Sequence, residues 1–206
     1  MFITLEGPEG SGQSSQLPAL AEFLRGQGQS VTITREPGGS EIGNQVRAVL
    51  MSMKNTAMHA RTEALLFCAA RAQLVEEVIH PRLEKGEIVI SDRYADSTLA
   101  YQGYGRGCDL TQLRCLLDFA TGGLWPHLTL LLDLPVEEGL RRKRSSGGEW
   151  NRLDAWEVAL HQRIRQGFLE MAHAEPERWI IIDAGQPAEM VQLALRRAVL
   201  ERLKPA

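Results

Sequence analysis

The chain has 206 residues, a length that suits one α/β domain with a substantial core. Its composition, 44% hydrophobic and 24% charged, is that of a globular protein, and a formal net charge of −3 argues against a general nucleic-acid or membrane-binding surface. No apolar run approaches membrane-spanning length, and "MFITLEGPEG" lacks the basic start and apolar stretch of a secretion signal, so a cytoplasmic protein is expected.

Short β-rich runs alternate with helical patterns along the whole chain. The strand candidates are "FITLE" (2–6), "VTITR" (31–35), "EIVIS" (87–91), "LTLLLDL" (128–134) and "WIIID" (179–183). They are continuously apolar rather than alternating, as in a parallel sheet covered on both faces. Helical patterns fill the gaps: Ser14 to about Arg25, "EIGNQVRAVLMS", the long "RTEALLFCAARAQLVEEVIHPRL" with Pro81 near its end, "TQLRCLLDFAT" before Gly122-Gly123, and "VEEGLRRKRSS" before Gly147-Gly148. In "RLDAWEVALHQRIRQGFLEMAHAE", residues Leu153, Trp156, Leu160, Ile164, Phe168 and Met171 recur at helical spacing, and "PAEMVQLALRRAVLERL" closes the chain. Repeated β-α units predict a three-layer α/β/α sandwich on a five-stranded parallel sheet, one domain over 1–206, with ligands at the carboxyl ends of the strands.

The chemistry-bearing motifs fall at those ends. "GPEGSGQSS" (7–15) follows the first strand and leads into a helix. It follows the phosphate-binding pattern G-x-x-x-x-G-K-[ST] at Gly7, Gly12 and Ser14, with Gln13 in the lysine's place. A loop over Gly7, Pro8, Glu9, Gly10, Ser11, Gly12, Gln13, Ser14 and Ser15 would turn backbone N–H groups and a helix N-terminus toward an anion. Ser14 would offer its hydroxyl to Mg²⁺. Gln13 can donate neutral hydrogen bonds but supplies no charge to phosphate oxygens that grow more negative during transfer.

"SDRYADSTLAYQGYGRG" (91–107) begins where the third strand ends. Asp92 there could orient Mg²⁺ or its waters, and Arg93 could grip a second phosphate; the pair would equally make a surface ion pair. Ser97 and Tyr101, four apart, would share a face if helical. Phe67 and Arg71, also four apart, could hold a flat base between a ring and a guanidinium, or could be a core ring beside a solvated cation. The three cysteines, Cys68, Cys108 and Cys115, and the five histidines show no metal-ligand spacing.

Taken in order, "FITLEGPEGSG-SSQ", "TREPGGSEIG", "TEALLFCAARAQLV", "VISDRYADSTLAYQGYGRG" and "LLLDLPVEEGLRRKR…RLD" resemble the thymidylate kinases, from Phe2 to about Asp183. The resemblance implies a P-loop nucleoside-monophosphate-kinase fold, ATP with Mg²⁺ as phosphoryl donor, and dTMP as acceptor. It also implies site roles. Glu9 would approach the dTMP sugar and phosphate, and Arg35, Glu36 and Pro37 would lie along the monophosphate site. Phe67 would stack on thymine, Arg71 would contact a base carbonyl, and Arg93 would clamp the dTMP phosphate. Ser97 and Gln102 would read the pyrimidine, and Tyr101 would pack under the deoxyribose. The lid would be "RRKRSSGGEWNRLD" (141–154), carrying Arg142 and Arg144 over the transferring group. Arg152 would lie on the nucleotide side, and Ser146 stands where many relatives have a further arginine. Gly10 marks the bacterial type, whose lid supplies the catalytic arginines. Homodimers are also implied. A nucleotide binder without catalysis, or a kinase for another pyrimidine deoxynucleotide, is the alternative; Gln13 is what the first of these rests on.

Overall fold

Five apolar runs pair into one all-parallel sheet in the order β2-β3-β1-β4-β5: β1 Phe2–Glu6, β2 Val31–Arg35, β3 Ile88–Asp92, β4 Leu128–Asp133 and β5 Trp179–Asp183. The computed structural model describes residues 1–145 and 151–204. Every residue of β1 is buried, whereas the edge strands β2 and β5 expose Ile33 and Ile181, because an edge strand is covered less completely than a central one.

Successive side chains on each strand point to opposite faces. Phe2, Val89 and Leu131 therefore join Leu74, Leu117 and Phe168 in one core, beneath α3 (Ala60–Leu74), α6 (Leu110–Thr121) and α8 (Val158–Ala174). Ile3, Leu5, Ile90, Leu130 and Leu132 form the other, with Leu20 and Leu24 of α1 (Gln13–Gly26) and Leu195 and Val199 of α9 (Ala188–Leu203). The expected three layers result. No helix of the described residues is long and apolar enough to cross a membrane.

The remaining helices are α2 (Glu41–Met51), α4 (His80–Glu84), α5 (Ala95–Thr98), which runs on into a π-helical stretch over Leu99–Gly105, and α7 (Val136–Ser145). Several element boundaries differ from the sequence reading, β4 for example ending at Asp133 rather than Leu134, and three bear on the site. The long helix expected through Pro81 is α3 and α4 joined by a wide π turn, Val75–Ile79. Pro81 lacks the N–H that a regular helix would direct back one turn, and the widened turn lies directly before it. β3 is shifted by one residue, so that Asp92 is its last member, level with Leu5 and Arg35. The helix expected from Arg152 begins at Val158. Leu153 and Trp156 lie ahead of it, in a turn where the Asn151 side chain accepts from the Leu153 N–H at 2.8 Å.

Candidate active site

The loop between β1 and α1 lies against the start of α7. Gly10 has φ +74°, and a Cβ there would stand 2.0 Å from the Gly139 carbonyl oxygen; a Cβ on Gly139 would meet the Glu9 carbonyl at 2.1 Å. The two glycines are thus required by backbone-to-backbone contact, and Gly10 has no room for an arginine. At the first turn of α1 the Ser14 hydroxyl donates to Asp92 Oδ2 at 2.5 Å. A hydroxyl and a carboxylate side by side at a helix N-terminus are hard oxygen donors of the kind Mg²⁺ takes along with phosphates and water, so the residues fit that ion.

Gln13 folds back into the loop. Its Nε2 donates to the Gly7 carbonyl at 3.3 Å, its Oε1 accepts from the Ser11 hydroxyl at 2.9 Å, and it is buried.

The Gly7 carbonyl also accepts from Arg93 Nη1 at 2.9 Å. Arg93 has φ 69°, the one non-glycine in the left-handed region among the described residues. Its other contacts are Ser97 Oγ at 3.3 Å and Glu9 Oε1 at 3.3 Å, and its guanidinium carbon lies 5.1 Å from the Tyr101 ring centroid. The Tyr101 hydroxyl donates to the same Glu9 oxygen at 2.6 Å. Burial pushes the Glu9 carboxyl up, but Arg93 and the Tyr101 hydroxyl outweigh it and hold Glu9 below its ordinary value. Burial and the neighbouring Glu9 carboxylate push Asp154 up to about 6.

Across from Arg93, Phe67 and Gln102 line the same cavity. Gln102 is fixed by donating to Glu63 Oε1 at 2.8 Å. Arg71 lies behind this wall rather than on it. It is only 1% exposed, its Nε donates to Glu36 Oε2 at 2.8 Å, Nη1 to Thr98 Oγ1 at 3.1 Å and Nη2 to the Tyr94 carbonyl at 3.1 Å. A buried cation must be neutralised locally, and Glu36 does so. Arg71 thereby supports Glu36 and Thr98, which do face the cavity.

From α7, Arg142 lines the cavity, bonded to Glu138 at 2.7 Å and to the Ala184 carbonyl at 2.9 Å. Lys143 lines it too, its Nζ 3.7 Å from Asp154 Oδ2. Arg144 is exposed and lies outside the cavity wall. Arg152 does not line the cavity. It is buried, ion-paired with Glu63 and bonded to the Leu50 carbonyl at 3.0 Å. Glu63 has no exposure, and among the described residues its other cationic neighbour, Arg106, stands 3.9 Å away, so Arg152 is drawn inward. Ser146 lies outside the described residues.

The cavity holds about 530 Å³, within the range of small-ligand sites, and runs from the glycine loop to Phe67. Of the predicted residues, Glu9, Gly10, Gly12, Gln13, Ser14, Ser15, Arg35, Glu36, Pro37, Phe67, Asp92, Arg93, Ser97, Tyr101, Gln102 and Arg142 line it; Gly7, Pro8 and Ser11 form the loop behind. Sequence reasoning missed Arg47, Met51, Thr98, Asn151 and Leu153. Arg47 and Met51 are four apart on α2, the same spacing that drew attention to Phe67, and Arg47 donates to the Pro37 carbonyl at 3.0 Å.

A glycine loop opening a helix at the first strand, with an arginine at the end of its neighbour and a shared cavity between them, defines a P-loop nucleoside-monophosphate-kinase fold. A family model described as thymidylate kinase matches residues 5–194, and the chain belongs to that family. It is 50% identical over 227 residues to a thymidylate kinase of Herpetosiphon aurantiacus, covering 98% of this chain and 96% of that one. It is 49% identical over 202 residues to one of Deinococcus radiodurans, covering 98% and 97%. The crystal structure of thymidylate kinase from Ehrlichia chaffeensis superposes with a TM-score of 0.79 at 32% identity, covering 97% of this chain and 98% of that chain.

Proposed function

We propose that this protein transfers the γ-phosphoryl group of ATP to dTMP, giving dTDP and ADP. The observation that carries the proposal is the single cavity bounded at one end by the glycine loop and at the other by Phe67 and Gln102, with Arg93 between. ATP fits the loop end, where the α1 N-terminus and backbone N–H groups favour phosphates. dTMP fits the other end: Phe67 supplies a stacking ring, Gln102 and Ser97 supply polar groups for a pyrimidine, and Tyr101 fills the space beneath the sugar. Arg93 and Arg35 favour a monophosphate over a nucleoside.

The reaction asks chiefly for alignment and neutralised charge. An oxygen of the dTMP phosphate, already anionic near neutral pH, attacks the γ-phosphorus as the bond to the β-bridging oxygen breaks, and ADP leaves with that electron pair. No strong general base is needed. Arg93 holds the acceptor phosphate in line, and Arg142 and Lys143 place positive charge on the lid side. Ser14 and Asp92 would hold Mg²⁺, which when bound shields the charge of the donor phosphates. Gln13, neutral and bonded back to Gly7 and Ser11, leaves one stabilising cation out of this set. By analogy with loss of one transition-state stabiliser, turnover is slowed roughly 10²–10³-fold, or about 3–4 kcal/mol.

A coupled assay with dTMP and ATP, run beside a binding titration, tests the proposal. Formation of dTDP is expected. Tight binding of both ligands without dTDP at high enzyme concentration would favour the second reading, a silent nucleotide binder, to which the inward-folded Gln13 side chain lends support. We also propose a homodimer through the face carrying Leu65 of α3 and Phe119 of α6, which are 56% and 88% exposed.

A further inference from the structure

β1 ends in a residue that its surroundings do not explain. Glu6 has no solvent exposure, and it follows four buried residues in a central strand. A carboxyl group there must have its oxygens occupied by donors. Oε1 accepts the Tyr94 N–H at 2.8 Å, and Oε2 accepts the Ser97 hydroxyl at 2.6 Å.

Those donors lie one and four residues after Arg93. A non-glycine residue in the left-handed region is strained and persists only where its neighbours over-determine it. Around Arg93 the constraints come from β1 and β3. Its N–H donates to the Leu5 carbonyl at 3.0 Å, its carbonyl accepts from the Ser91 hydroxyl at 2.7 Å, and the next N–H is the one that Glu6 takes. The second oxygen acts on the side chain. Ser97 Oγ, held by that bond, also accepts from Arg93 Nη1 at 3.3 Å. One carboxyl group thereby fixes both the backbone corner under the guanidinium and the position of the hydroxyl beside it.

We propose that Glu6, which does not reach the cavity, is the positioning residue that aims Arg93 at the acceptor phosphate. The proposal rests on the reading that Arg93 faces a monophosphate. Burial, and after it the negative charge of Asp96, raises the Glu6 carboxyl to about 8, while Arg93 opposes the rise. When the carboxyl group carries a proton, its own O–H lies on the Ser97 side and donates to Ser97 Oγ, and an amide of the same shape donates there too.

Titration calorimetry with dTMP and, separately, with a non-hydrolysable ATP analogue tests this on the parent protein and on Glu6→Ala and Glu6→Gln, with thermal melting to report folding. Glu6→Ala is expected to weaken dTMP at least about tenfold while the ATP analogue stays within about threefold. Glu6→Gln is expected to bring dTMP back to within about threefold of the parent, its oxygen accepting from Tyr94 and its amide facing Ser97. Folded Glu6→Ala protein with unchanged dTMP affinity overturns the proposal, as does a parallel loss for both ligands. If Glu6→Ala does not fold, Glu6→Asp, which shortens the reach by one methylene, is read by the same two outcomes. A parent protein that binds no dTMP refutes the monophosphate reading itself, whereas a parent that binds it beside indifferent variants refutes only the role of Glu6.

Discussion

Gln13 occupies the position from which a lysine would reach the transferring phosphate, yet its amide is engaged within the loop by Gly7 and Ser11. Gln13→Lys should therefore raise the rate of dTDP formation at least about tenfold, with up to roughly 10³-fold possible if the site is otherwise intact. No gain would mean that the loop has been rebuilt around glutamine. Glu6 makes a different prediction, about pH. Its folded value of about 8 stands above an ordinary value of 4.5, so between those limits the folded state keeps a proton that the unfolded state has released. Stability then falls as pH rises through this window, with a slope of up to about 1.4 kcal/mol per pH unit from this one group. Urea titrations at pH 5, 6.5 and 8 should show Glu6→Gln gaining on the parent as pH rises; identical pH trends would refute the shift. Gln13 was legible from motif spacing alone. Glu6 was not, because in sequence it is simply the last letter of an apolar strand, and its meaning comes from Tyr94 and Ser97, some ninety residues away.

At the scale of elements, the turn before α8 shows where spacing misleads. Leu153 and Trp156 continue the helical stripe in sequence, but the Arg152–Glu63 ion pair commits this stretch to docking on α2 and α3. Arg152→Ala should cost about 3–5 kcal/mol, since it strands a buried carboxylate, and should appear as a lower urea midpoint. Glu63→Gln combined with Arg152→Met should recover much of that loss, because removing both charges leaves neither uncompensated. An equal cost for the single and double variants would show that the pair is not the source. The same principle separates Arg71 from its expected role: helical spacing brought it beside Phe67, but only the fold brings Glu36 against it. The strands were far easier to read. A sheet buried on both faces demands continuous apolar runs, and β1, β2 and β5 fall where those runs lie.

For the whole molecule, one apolar face stands out. Phe119 and Leu65 belong to α6 and α3, which pack together on one side of the sheet. Sedimentation should give a dimer for the parent and a monomer for Leu65→Glu/Phe119→Glu, with the cavity's dTMP affinity tracking whichever state is folded; an unchanged dimer would place the interface elsewhere. The architecture and the cavity ends could be anticipated from the order of motifs, since loops following parallel strands must converge on one edge of the sheet. The inward turn of Arg152 could not, because it depends on a carboxylate with no exposure on another helix. The contact of Gly10 with Gly139 sets a further limit. With no side chain between them, the root of α7 rests directly on the phosphate loop, and Arg142 begins three residues, or about 4.5 Å of helix rise, above that fulcrum. The stretch that carries Arg142 and Lys143 to the cavity thus starts less than one turn from that contact, so a single bulky residue at either glycine would shift both cations away from the glycine loop at once.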